Sequence, residues 1–214
     1  MHEDEQLKQA YIYRKQHNFD KAVNIYECLL QDGHKSYNVY MAYGKALYRQ
    51  FDDLDLSAHM FEQALEIRQG DEDAMLWLAT IYGMGYGKGY EEAVVVYQAV
   101  YEQNPLCINA YEGMAMSYGS PGVVMSQHDY ITYLSIVVEL LPNNINAKWS
   151  LANGYIDIGK KEIGLKILEE MKISMDENEQ SYEYVLKKIE LIKSGMERLP
   201  TSLKRALHHP RWDG

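Results

Sequence analysis

Three stretches of the sequence and two isolated cysteines hold residue types that do chemistry in other proteins. Gly83-Met-Gly-Tyr-Gly-Lys-Gly89 has the glycines and the lysine of a phosphate-cradling loop. Such a loop needs a glycine, four intervening residues, a Gly-Lys pair, then serine or threonine, all after a strand. Here Tyr82 stands where the first glycine belongs, Gly89 follows the lysine, and the context is helical. The stretch therefore reads as a flexible turn between helices. Asp52-Asp-Leu-Asp55 has the carboxylates of a calcium loop but lacks its sharp-turn glycine and its trailing glutamate. It reads as a solvated loop that ends in a helix N-cap. His208-His209 is the one histidine pair, but adjacent side chains on a helix point apart and no cysteine cluster supports them, so no metal site is expected. Cys28 and Cys107 are the only cysteines and read as small apolar residues. Neither Gly-x-Ser-x-Gly nor His-Glu-x-x-His occurs. The expectation is a protein that is not an enzyme and that needs no cofactor and no metal.

The elements that position these residues are suited to a folded chain. Of 214 residues, 47% are apolar and 24% charged, a globular balance. A net charge of -10 repels phosphates and anionic lipid, so no nucleic acid and no membrane is expected as a partner. No apolar run approaches the ~20 residues of a membrane helix, and the acidic start Met1–Gln6 lacks the apolar core of a signal peptide. With two cysteines, the expected location is cytoplasmic.

One stretch recurs. Asn18 to Leu30 returns from Asp53 to Leu65, from Gly89 to Tyr101, from Lys160 to Lys172, and in a worn form from Ser126 to Val138. Each copy is the second helix of a pair. The first helices carry a small residue at Ala10, Gly44, Ala79, Ala115 and Ala152, spaced 34, 35, 36 and 37 apart. Three residues later stand Tyr13, Leu47, Tyr82, Tyr118 and Tyr155. The second helices carry Ala22, Ser57, Ala93, Tyr130 and Gly164, then Tyr26, Phe61, Tyr97, Leu134 and Leu168 four residues on. Steps of three and four share one helical face, and small residues let backbones approach closely. A single pair cannot bury its face alone, whereas stacked neighbours bury it together.

With its ~34-residue period, its small-x-x-aromatic pairs and Gly-Tyr-x-x-Ala-x-x-x-Tyr at Gly89–Tyr97, the chain resembles the tetratricopeptide repeat family. Pro105 and Pro142 stand where that family closes its repeats. The resemblance implies an all-α fold, a right-handed α-α superhelix of about five helix-turn-helix repeats with a C-terminal capping helix. Residues 1–176 would hold the repeats, 177–196 the cap and 197–214 a basic tail. Tyr130, at a site that is normally small, predicts looser or shifted packing in repeats four and five. Extra residues within Gln50–Asp55, Gly83–Gly89 and Gly119–Gln127 should project from one edge.

The resemblance also implies a function, holding a peptide or helix of another protein in a concave groove lined by the first helices. The sites carried over include Leu7, Met41, Asp73, Asn109 and Glu112. The residues expected to carry binding are Tyr11, Arg14, Lys45, Tyr48, Arg49, Leu76, Thr80, Met116, Trp149 and Asn153. Arg14, Lys45 and Arg49 place positive charge at the N-terminal end, which suits an acidic ligand. Met41, Leu76, Met116 and Trp149 supply adaptable or aromatic contact. The carboxylate clamp of chaperone-binding family members is not expected, because Leu7 and Tyr11 occupy its sites in repeat one. The alternative reading is self-association or self-inhibition through the tail. Glu197–Gly214 has four basic and two acidic side chains, +2 against -12 for the remainder, with Leu199, Leu203, Leu207 and Trp212 among them.

Overall fold

A computed structural model of the chain describes residues 3–50, 53–176 and 180–195. The tail expected at 197–214, His208-His209 and Asp52 lie outside the described residues. Among the described residues all regular elements are helices. They are α1 (Glu3–Lys15), α2 (Phe19–Gln31), α3 (Tyr37–Gln50), α4 (Leu54–Ile67), α5 (Glu72–Tyr82) and α6 (Tyr90–Gln103). α7 (Ile108–Met116), α8 (Gln127–Leu140), α9 (Ile145–Asp157), α10 (Lys161–Ser174) and α11 (Gln180–Lys193) follow. No described helix is long and apolar enough to cross a membrane.

Local chemistry sets where the helices begin. The side chains of Asp53, Asp71 and Asn144 accept the backbone N–H three residues on, at 2.8, 3.0 and 3.0 Å. Ser126 and Asp129 close a reciprocal capping box at the start of α8. Each such cap contributes ~1 kcal/mol by satisfying a donor the helix leaves open. Asp53, from the stretch with the calcium-loop carboxylates, is thus spent on a cap.

The chain divides into two compact units at Val124/Met125, within the loop between the two helices of repeat four. In the first, the hairpins α1/α2, α3/α4 and α5/α6 pack in sequence and α7 closes against α6 and α5. Its core is built from the recurring positions. Ala10, Gly44, Ala79, Ala22, Ser57 and Ala93 are buried where helices cross, and Tyr26, Phe61 and Tyr97 are buried one turn further along the second helices. A side chain at Gly44 would begin 2.9 Å from the Phe61 ring, which is why that crossing takes glycine. Ser57, fully buried, donates its hydroxyl to the Gly44 carbonyl at 2.8 Å. Tyr118 departs from the pattern. It is 38% exposed, where the equivalent Tyr82 is 1% exposed and donates to Glu62 Oε1 at 2.6 Å.

Glycines make the long loop after α5. Gly85, Gly87 and Gly89 have φ of +88°, +60° and +83°, a region side chains with a Cβ avoid. The Gly87 N–H donates to Asp55 at 2.7 Å, and Lys88 reaches Glu62 at 3.1 Å, so the loop folds along α4. Gly122, in the next enlarged loop, lies beside Glu91 in the first turn of α6. These loops therefore line one edge of the first unit, and the lysine of the glycine-rich loop is committed to an ion pair.

In the second unit α8 packs on α9, α9 on α10 and α10 on α11. Ile131, Leu134 and Val137 are the buried face of α8. A Cβ at Gly154 would lie 3.0 Å from Ile131 and 3.4 Å from the Tyr130 ring, so glycine lets α9 lie close to α8 there. Val185 and Ile189 of α11 complete a core with Trp149, Ala152, Leu168 and Met171.

Candidate partner-binding groove

A groove of about 650 Å³ runs along the first unit. α3 contributes Tyr48 and Arg49, α5 contributes Asp73, Leu76, Trp77 and Thr80, and α7 contributes Asn109, Glu112 and Met116. Equivalent residues of consecutive repeats line it because each repeat places its first helix in the same role.

Trp77 organises the floor. Its ring stacks on the fully buried Phe61 at 5.9 Å and 11°, and meets the Tyr48 ring edge-on at 5.1 Å and 71°. Offset and edge-to-face geometries of this kind add to the burial energy of each ring. Lys45, one turn before Arg49, sets its Nζ 5.5 Å from the Trp77 ring centroid and 2.7 Å from Asp73 Oδ2. Thr80 donates to the Leu76 carbonyl at 2.7 Å. Tyr97 reaches the groove from α6 because Gly113 has no side chain, and a Cβ there would overlap the Tyr97 ring. Burial pushes the Tyr97 phenol up, which the neighbouring Thr80 hydroxyl partly offsets. The result is a preformed, largely apolar trough with Arg49, Asp73 and Glu112 along it.

No protein-family model matches the chain, and none of the curated proteins does. Solved structures do. YrrB, a TPR protein with an unusual peptide-binding site, superposes with a TM-score of 0.63 at 18% identity over 77% of this chain and 81% of that one. The chain has the tetratricopeptide-repeat fold. A MamA protein superposes at 0.68 and 17% identity, over 92% of this chain and 96% of that one. MamA from Desulfovibrio magneticus RS-1, residue 41 to the end, gives 0.66 at 13%, over 91% and 97%. At such identities the likeness is one of fold.

Within the TPR fold, five of the ten residues expected to bind come together. Tyr48, Arg49, Leu76, Thr80 and Met116 all line the groove, and Met116 is 83% exposed there. Lys45 adjoins it through Asp73 and Trp77. The other four lie elsewhere. Tyr11 sits on a separate shallow depression of α1 with Asp4, Leu7, Lys8 and Ile12. Arg14 is half-buried, its guanidinium set against the Tyr26 hydroxyl inside the first hairpin. Trp149, expected on an open surface, is 3% exposed in the core of the second unit, where Leu168 and Met171 of α10 and Val185 and Ile189 of α11 share its cluster. Met41, three before Gly44, is buried to 5%, whereas Leu76 and Glu112, at the same offset from Ala79 and Ala115, line the groove. Asn153, in the second unit, turns its amide back to donate to the Trp149 carbonyl at 2.9 Å.

The TPR site positions, counted as fixed offsets from the small residue, pass over Trp77, one residue beyond Leu76. The available signal was its type, since tryptophan combines a large apolar face with a donor and is enriched at interfaces.

Proposed function

We propose that the chain is a protein-interaction module that holds a peptide or helix of a partner in the groove of its first unit. The observation that carries this reading is the row Tyr48, Trp77, Leu76 and Met116, a continuous apolar strip on three successive first helices inside a groove of about 650 Å³. Its floor is already locked by the Phe61–Trp77–Tyr48 stack, so little ordering opposes binding. The peptide-binding site named for YrrB is an instance of such use in this fold.

The charges shape the ligand. Asp73 neutralises Lys45, which leaves Arg49 as the cation in the groove with no ion-pair partner among the described residues. The ligand class is therefore a segment with large apolar side chains over Trp77 and Met116 and one carboxylate directed at Arg49. The test is selection of binders from a random peptide library on the purified chain. Selected peptides are then titrated by calorimetry against wild type, Met116→Glu and Arg49→Glu. Met116 is exposed, so its replacement leaves the fold intact. Each change is expected to weaken binding at least tenfold, ~1.4 kcal/mol. Equal affinity for all three proteins, or a library that yields no binder, overturns the reading.

A further inference from the structure

We propose that the chain pairs with a second copy of itself through the exposed face of α1, two α1 helices meeting antiparallel across a two-fold axis. Six side chains form that face: Asp4, Leu7, Lys8, Tyr11, Ile12 and Lys15. Steps of three and four place them together on the helix. The first five line one shallow depression, and Lys15 Nζ lies 5.5 Å from the Tyr11 ring centroid. Ala10 is the residue α1 buries in its own hairpin, while Tyr11 and Ile12 are 54% and 45% exposed. Exposed apolar side chains here lie among charged ones.

The order of the six side chains identifies the occupant. Let two α1 helices run antiparallel about an axis between Gln9 and Ala10. Asp4 then faces Lys15 of the second copy, Leu7 faces Ile12, and Lys8 faces Tyr11, each pair occurring twice. The pairs are an ion pair, an aliphatic contact and a cation over an aromatic ring. A parallel arrangement would set aspartate against aspartate and lysine against lysine. Only the antiparallel one makes the face complementary to itself. Among the described residues Asp4, Lys8 and Lys15 take part in no ion pair, so these charges are available to a second copy. The face shares no residue with the groove, and the two sites are tested separately.

The experiment is sedimentation velocity on the full chain at concentrations up to ~1 mM, where a weak dimer is populated. Wild type is expected to shift reversibly from monomer to dimer. Asp4→Lys sets lysine against lysine at both ends of the interface, and Lys15→Asp sets carboxylate against carboxylate. Each alone is expected to raise the dissociation constant at least tenfold. An equimolar mixture of the two variants restores opposite charges at both ends and is expected to pair as wild type does. Both positions are exposed, so circular dichroism should show unchanged helix content. A wild type that stays monomeric throughout overturns the proposal. So does a dimer that neither reversal weakens, or a mixture no stronger than its components.

Discussion

Replacing Gly164 by alanine tests how tightly repeat five is closed. In repeats one and three the same position is Ala22 and Ala93, each fully buried, so a Cβ is accommodated there. In repeat two it is Ser57, whose hydroxyl bonds the carbonyl of Gly44 across the crossing. At Gly164 a Cβ would lie 2.6 Å from the carbonyl oxygen of Ala152, the equivalent of Gly44, and 2.6 Å from Ile156 Cγ1. Ordinary contact begins at 3.4 Å, so α9 and α10 would have to part by about 0.8 Å. A backbone oxygen cannot rotate aside as a side-chain tip can. In an unobstructed helix the change from glycine to alanine would stabilise by ~1 kcal/mol. Overpacking here costs ~1–3 kcal/mol and also disturbs the core around Leu168 and Met171. The expected net effect is a loss of ~1 kcal/mol, read as a melting temperature lower by roughly 2–4 °C in a far-ultraviolet circular dichroism scan. The reciprocal change, Ala93→Gly, is expected to destabilise as well, by ~1–2 kcal/mol, through lost propensity and a lost buried methyl. A Gly164→Ala chain that melts higher than wild type would refute the close approach of α9 and α10.

Three further outcomes are expected. Ser57→Ala removes the hydrogen bond to the Gly44 carbonyl and should lower stability by ~1 kcal/mol, seen as a shift of the urea midpoint without a change in slope. Phe61→Ala empties the site beneath Trp77 and should cost ~3–5 kcal/mol, with a red shift of Trp77 emission as its support is lost. Alkaline stability depends on Tyr37, whose phenol is pushed up to about 12 by burial and by its hydrogen bond to Asp71. Unfolded, that phenol releases its proton near its ordinary 10. Between these values the folded chain holds a proton that the unfolded chain has lost. Its contribution is complete below pH 10 and disappears as pH rises through about 12. Tyr37→Phe should make the alkaline fall in urea-unfolding stability shallower, though Tyr82, raised by burial and its bond to Glu62, keeps part of it.

The fold was legible wherever one residue suffices to state a constraint. A buried crossing of two helices admits only a small side chain, so Ala10, Gly44, Ala79, Ala22, Ser57 and Ala93 announce the stack by size alone. The groove was partly legible for the same reason. Offsets from a known inward residue place Tyr48, Leu76, Thr80 and Met116 on the groove side of their helices. What escaped depends on residues distant in sequence. Trp149 is covered because α11 supplies Val185 and Ile189 more than thirty residues later, which no local periodicity conveys. Lys45 is neutralised by Asp73 of the following repeat, a pairing decided by two side-chain conformations and not by spacing. The close approach of Gly154 to Ile131 likewise involves two positions that the period does not relate. Arg14 turned inward because a hydroxyl, that of Tyr26, was available inside the hairpin.

The pair between Lys45 and Asp73 bears on how ionic strength would act on the proposed recognition. A ligand carboxylate that approaches Lys45 finds one already seated at 2.7 Å and must displace it. The event is then a substitution in which one contact is surrendered for each one formed, and no counterion need be released from Lys45. Salt weakens both sides of that trade alike. Arg49 has no such resident carboxylate among the described residues, and an acid bound there displaces small ions into bulk solution. Added salt should therefore loosen whatever is held at Arg49 while leaving the Lys45 contribution nearly level.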